Sequence, residues 1–189
     1  MEYDLAEEPI ASGLSGTIYS TRDGSRALKY INYKNHKYTN LTWVVEISVL
    51  KHLKHRKIVC LDDIVLTKDG CFLVMPKLIP LNSVKVESFK SRVKEQLALD
   101  IAEALAYLHS FGLIHTDIKP KNVLIDVKNN MFVSALLCDM GAVQATNVNK
   151  LLRKFYPVVK APKYIPKEYA ENTIIPKHYP WYLAYPLCS

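Results

Sequence analysis

The stretch IHTDIKPKNVLID, Ile114 to Asp126, sets two acids, two lysines and an asparagine between apolar segments that read as buried. Upstream, Leu97, Ile101, Leu105 and Leu108 recur at helical intervals, with Ala98, Ala102 and Ala106 in a second stripe beside them. This predicts a helix over Phe89 to Phe111, stopped by Gly112. Downstream, Val123-Leu124-Ile125 opens a β-hairpin that turns at Asn129-Asn130. A helix and a hairpin, both apolar on one face, therefore clamp a charged loop between them. Ordinary solvation accounts for one or two of these polar residues. It does not account for Asp117, Lys119 and Asn122 at that spacing, with a buried strand starting directly afterwards.

The first third reads as strands and turns. SGTIYSTRDGSRALKYI carries two β-rich runs around Asp23-Gly24, and KIVCLDDIVLTKDGCFLVMPKL two more around Asp69-Gly70. Between them, Val45, Val49, Leu50 and Leu53 predict an amphipathic helix from Leu41 to Lys54. The tail differs in kind, because five of the ten prolines fall between Pro157 and Pro180, with lysine and tyrosine among them. With 49% hydrophobic and 23% charged residues in 189, the chain is globular in composition rather than disordered. The formal charge of +7 favours acidic partners such as phosphates, nucleotides, nucleic acid or anionic surfaces.

The start MEYDLAEEPI is acidic and lacks an apolar core, so it does not read as a secretory signal. No apolar run approaches the ~18–20 residues of a membrane span, and no membrane partner is expected. Cys60, Cys71, Cys138 and Cys188 are scattered without zinc spacing, and read as reduced thiols of an intracellular protein. The basic run KHLKHRK, Lys51 to Lys57, raises a nucleic-acid alternative, but its place at the end of the predicted helix favours a solvated helix end.

Three further features carry little alone. Gly13 and Gly16 in ASGLSGTIY permit close approach of backbone to a ligand, but such turns are usually plain hairpins. Lys29, on a strand with apolar neighbours, is ordinarily a solvent-facing lysine, and Glu46 is ordinarily an exposed helix acid.

Their order changes the reading. A small-residue hairpin, a strand lysine, a helix glutamate, His115-Thr116-Asp117-Ile118-Lys119-Pro120-Lys121-Asn122 and then Asp139-Met140-Gly141 resemble the protein kinase family from about Ile10 to Glu168. The resemblance implies an α+β, bilobal protein-kinase-like fold with a small β-rich N-lobe and an abbreviated helical C-lobe. The whole chain, 1–189, is then one kinase-like domain: about 1–76 the N-lobe, 77–168 a partial C-lobe and 169–189 a shortened tail. The implied cofactors are ATP and Mg2+. Lys29 would bind the α- and β-phosphates, with Glu46 holding it in place. Asp139 and Asn122 would be the metal ligands, since hard cations want oxygen. Asp117 would orient the substrate hydroxyl and accept its proton, and Lys119 would stabilise the transferring phosphoryl charge. Gly13 and Gly16 would cover the phosphates, Ile18, Ala27 and Leu124 would sandwich adenine, and Met75, at the gatekeeper position, and Lys77, just after it, would also bind the nucleotide. Lys119 two residues after Asp117 resembles the serine/threonine branch, so the implied partner is a protein bearing a Ser or Thr hydroxyl.

The departures from the family pattern are Ala11 for the first glycine, Ser15 for the aromatic at the loop tip, Thr116 for the arginine of HRD and Met140 for phenylalanine. Thr116 implies no dependence on a phosphate in the activation segment. Ala161 stands where a threonine would contact Asp117 and Lys119, Tyr179 takes a usual aspartate position, and the later large-lobe helices are missing from the sequence. The Tyr- and Trp-rich tail is then expected to cover the second stripe of the long helix, with residual exposure driving self-association or partner binding. These departures keep a second reading open: a catalytically weak pseudokinase, or a mimic that binds a host kinase or its substrate. Compact kinases of this kind resemble those of large DNA viruses, which implies a host-cell interior as the location.

Overall fold

The computed structural model describes residues 3–13, 16–32 and 42–145. Alternating apolar residues and turn dipeptides in the first third form a five-stranded antiparallel sheet, ordered β1-β2-β3-β5-β4. Its strands are β1 (Ala11–Gly13), β2 (Gly16–Ser20), β3 (Arg26–Asn32), β4 (Asp63–Leu66) and β5 (Gly70–Pro76). Both Asx-Gly hairpins form as predicted. The period of two divides the sheet's faces. Leu28 pairs with Val74 and Tyr30 with Phe72 on the outer face, where the Tyr30 and Phe72 rings lie 4.8 Å apart. Ile18, Lys29 and Leu73 are cross-strand partners on the inner face, as are Ala27 and Met75.

Helix α1 (Thr42–His52) lies against the inner side, with Val49 and Leu50 buried. It ends two residues before the expected Lys54, and side chains satisfy its last carbonyls: His52 Nδ1 donates to Ser48 O at 2.8 Å and Lys54 Nζ to Leu50 O at 3.0 Å. Beyond β6 (Ile79–Pro80) comes α2 (Ser91–Ser110), which buries Leu97, Ile101, Leu105 and Leu108 against β9 (Met131–Leu137). Gly112, at φ 66°, takes the left-handed position that ends it. Strand β9 pairs with β8 (Val123–Lys128), which pairs with β6. Asn129 and Asn130 both take positive φ, 51° and 59°, the turn that matches strand twist in a two-residue hairpin. The expected cover of the second α2 stripe by the tail lies outside the described residues; Ala102 and Ala106 are exposed.

A buried carboxylate helps to tie the segment after α1 to α2 and β9. Asp100, on α2, accepts from Lys57 Nζ at 2.7 Å, Gln96 Nε2 at 2.9 Å and the Ala135 backbone N–H at 2.8 Å. Lys57 O and Val59 N in turn bond to both polar groups of Leu137, at 2.8 and 2.9 Å. The basic run is therefore not only a solvated helix end: Lys51 and His52 are exposed, but Lys57 is half-buried and paired with the buried Asp100. Removing one partner of a buried pair leaves an uncompensated charge. Asp100→Ala is accordingly expected to lower unfolding free energy by about 3–5 kcal/mol. The double variant Asp100→Leu with Lys57→Met should recover much of that loss, read from urea denaturation midpoints. Equal destabilisation by the single and double variants would contradict the pairing.

Candidate active site

Lys29 points from the inner face of β3 and Glu46 from the face of α1 that meets it. Lys29 Nζ lies 2.7 Å from both Glu46 oxygens and 3.2 Å from Asp139 Oδ1, and the lysine and the glutamate are both buried. Burial alone pushes an ammonium towards neutrality, but here Glu46 and Asp139 outweigh it and hold Lys29 above its ordinary range. Burial would raise Asp139, yet Lys29 keeps its carboxyl below the usual carboxylate value. Burial raises the Glu46 carboxyl and Lys29 opposes that push. With both Glu46 oxygens accepting from one ammonium, the geometry is that of the ionised form.

The charged loop folds over this cluster. His115 is fully buried, and burial holds it below its ordinary value, so the neutral ring donates from Nε2 to Cys138 O at 2.9 Å and accepts at Nδ1 from Asp117 N at 3.3 Å. Asp117 Oδ2 accepts from Lys119 Nζ at 2.6 Å and Asn122 Nδ2 at 2.9 Å. Asn122 also donates to Asp117 O at 2.8 Å. Among the described residues, Asp117 Oδ1, Asn122 Oδ1 and Asp139 Oδ2 carry no hydrogen bond. Thr116 and Asp139 sit in the left-handed region at φ 65° and 61°, a conformation held only where surrounding contacts enforce it.

These oxygens fit a magnesium site. Mg2+ is commonly held by one or two protein oxygens together with substrate phosphates rather than by a full protein cage. Asp139 and Asn122 supply such a pair, and no cluster of three His, Cys, Asp or Glu side chains forms among the described residues. Above them, Gly16 has φ 138°, and a Cβ there would meet Tyr30 O at 2.5 Å, so only glycine fits. A Cβ on Gly13 would lie 3.6 Å from Lys121 Nζ, which places the end of β1 beside the charged loop.

The structure thus brings together Gly13, Gly16, Lys29, Glu46, Asp117, Lys119, Asn122 and Asp139. Ile18, Ala27 and Met75 share the inner sheet face with Lys29, and Leu124 lies on the face of β8 opposite the buried Val123 and Ile125. Lys77 is not brought in: its N–H donates to Ser25 O at 3.2 Å and its exposed side chain lies beside Gly24. Ser15, Ala161 and Tyr179 lie outside the described residues. The sequence reading missed what Thr116 does, since its hydroxyl donates to Ala142 O at 2.6 Å.

The sequence pattern of the protein kinase domain matches residues 6–182. The chain belongs to the protein kinase family. The serine/threonine-protein kinase dkf-1 of Caenorhabditis elegans is 31% identical over 176 residues, covering 87% of this chain and 24% of that protein. The dkf-2 kinase of Caenorhabditis briggsae is 32% identical over 180 residues, covering 89% of this chain and 15% of that protein. Cyclin-dependent kinase 1 of Encephalitozoon cuniculi is 29% identical over 157 residues, covering 75% and 50%. The chain therefore spans half or less of the length of these relatives. The family match bears out the expected α+β kinase-like fold.

The kinase histidine generates a pH prediction. Because burial depresses the folded-state pKa of His115 below its ordinary 6.5, its contribution to stability is present above that value and lost as pH falls. Unfolding free energy should decline below about pH 6.5, by at most ~1.4 kcal/mol per pH unit from this group. His115→Asn should flatten that decline. An unchanged slope in the variant would show that other groups carry it.

Proposed function

We propose that the chain is a serine/threonine protein kinase, transferring the γ-phosphoryl group of Mg-ATP to a protein hydroxyl. One observation carries this reading: Asp117 has one oxygen fixed by Lys119 and Asn122 and the other open. A carboxylate held this way can orient a hydroxyl and take its proton as the oxygen–phosphorus bond forms. The Lys29 ammonium, immobilised by Glu46, would receive phosphate oxygens, and Lys119, bonded to Asp117, would lie near the attacking hydroxyl. Asn122 and Asp139 present the oxygens that would hold the metal. Bound Mg2+ supplies charge neutralisation at the phosphates. Ile18, Ala27, Met75 and Leu124 would provide the apolar adenine slot.

We read residues 1–189 as one such domain, acting on protein substrates inside the cell. Lys119 two residues after Asp117, and the serine/threonine kinases among the relatives, support the Ser/Thr choice. A pseudokinase or mimic is the outcome that an absence of transfer would favour.

Transfer from radiolabelled ATP to a generic basic protein and to the chain itself tests the reading. Asp117→Asn should reduce transfer by about 10²–10⁴-fold, the scale of a lost general base, with Mg-ATP affinity nearly unchanged. Asp139→Asn should abolish transfer and the magnesium dependence of nucleotide binding. Near-native turnover in Asp117→Asn would show that another group takes the proton.

A further inference from the structure

Two hydrogen bonds bracket the Asp139-Met140-Gly141 turn. On its N-terminal side His115 holds Cys138 O at 2.9 Å; on its C-terminal side the Thr116 hydroxyl holds Ala142 O at 2.6 Å. Both donors immediately precede Asp117. Pairing continues outward, where β7 (Leu113–Ile114) and β10 (Gln144–Ala145) form a two-residue antiparallel ladder. Met140, fully buried, packs against α1. Thr116 reaches Ala142 from φ 65°, a conformation disfavoured for a β-branched residue. A strained position retained with a short hydrogen bond points to that bond as its reason.

We propose that the Thr116 hydroxyl is a phosphate-independent latch, a positioning residue that fixes the Asp139 segment against the Asp117 loop. An arginine in this place would offer a cation that needs an anionic partner on the activation segment. Threonine instead donates to a backbone carbonyl that is always present, so the segment is held without a phosphate. The consequence for turnover rests on the phosphotransfer reading above; the latch itself does not.

Three variants separate the hydroxyl from the backbone. Thr116→Val keeps the shape and the strain but loses the donor. Thr116→Gly relieves the strain and also loses the donor. Thr116→Ser keeps the donor. Hydrogen exchange at the Val143 and Gln144 amides, measured on the full chain without nucleotide, should quicken about fivefold to tenfold in the Val and Gly variants, the scale of one hydrogen bond. It should stay within about twofold of native in the Ser variant. In the transfer assay kcat should fall about tenfold for Val and Gly, with KM for Mg-ATP changed by less than about threefold, and Ser should restore it. Unchanged exchange in both Val and Gly would overturn the latch, as would a Gly variant whose kcat equals or exceeds that of the native protein, because strain rather than the hydroxyl would then be the active element. Faster exchange with native turnover would refute its role in positioning. A native protein that transfers no phosphate, yet shows the exchange pattern, would leave the latch standing and remove the kinase reading.

Discussion

The site depends on a buried ammonium shared by two carboxylates. Lys29 joins the sheet, Glu46 the helix packed on it, and Asp139 the segment leaving β9, so one cation fixes three elements that are far apart in sequence. Desolvating three charges is costly, and stability alone does not explain keeping them. The cluster is also unbalanced, with two carboxylates for one ammonium. A net negative charge next to open Asp139 and Asn122 oxygens complements a divalent cation, and an ammonium at its edge complements phosphate. The arrangement reads as a site prepared for a charged ligand rather than as a structural ion pair.

Such a cluster works only if the two halves of the chain hold register. The Asp100–Lys57 pair and the bonds from Lys57 and Val59 to Leu137 tie the segment after α1 to the strand that leads into Asp139. Helix α1 also packs on the Met140–Ala142 turn, so the helix that carries Glu46 and the segment that carries Asp139 are positioned by the same contacts. A shift of α1 would break the Lys29–Glu46 bonds and disturb Asp139 together. His115 and Thr116 extend the same logic to Asp117.

Much of this was legible in the sequence because it is local. Helical periodicity placed α2 and its buried stripe, and Asn129-Asn130 and Gly112 marked backbone positions with positive φ. Motif order, not any single residue, picked out Lys29 and Glu46, each of which alone looks like a surface charge. What stayed hidden depended on partners chosen by packing. Lys57 sits in a run that looks solvated, and nothing near it in sequence announces Asp100. Thr116 showed only a missing arginine, since its carbonyl partner lies 26 residues on. Lys77 follows a stretch suited to nucleotide, but a backbone bond to Ser25 turns it to the hairpin tip.

The central claim, that the Lys29–Glu46–Asp139 cluster is a nucleotide phosphate site, is tested most directly by the melting temperature with and without Mg-ATP. A ligand at about 100 times its Kd stabilises a fold by roughly 2.7 kcal/mol, enough for a shift of several degrees in a domain of this size. The account predicts that shift in the native protein and its loss in a variant carrying Lys29→Met together with Glu46→Gln, which removes the pair while leaving Asp139 without its ammonium partner. No shift at millimolar Mg-ATP, or an equal shift in the variant, would contradict it.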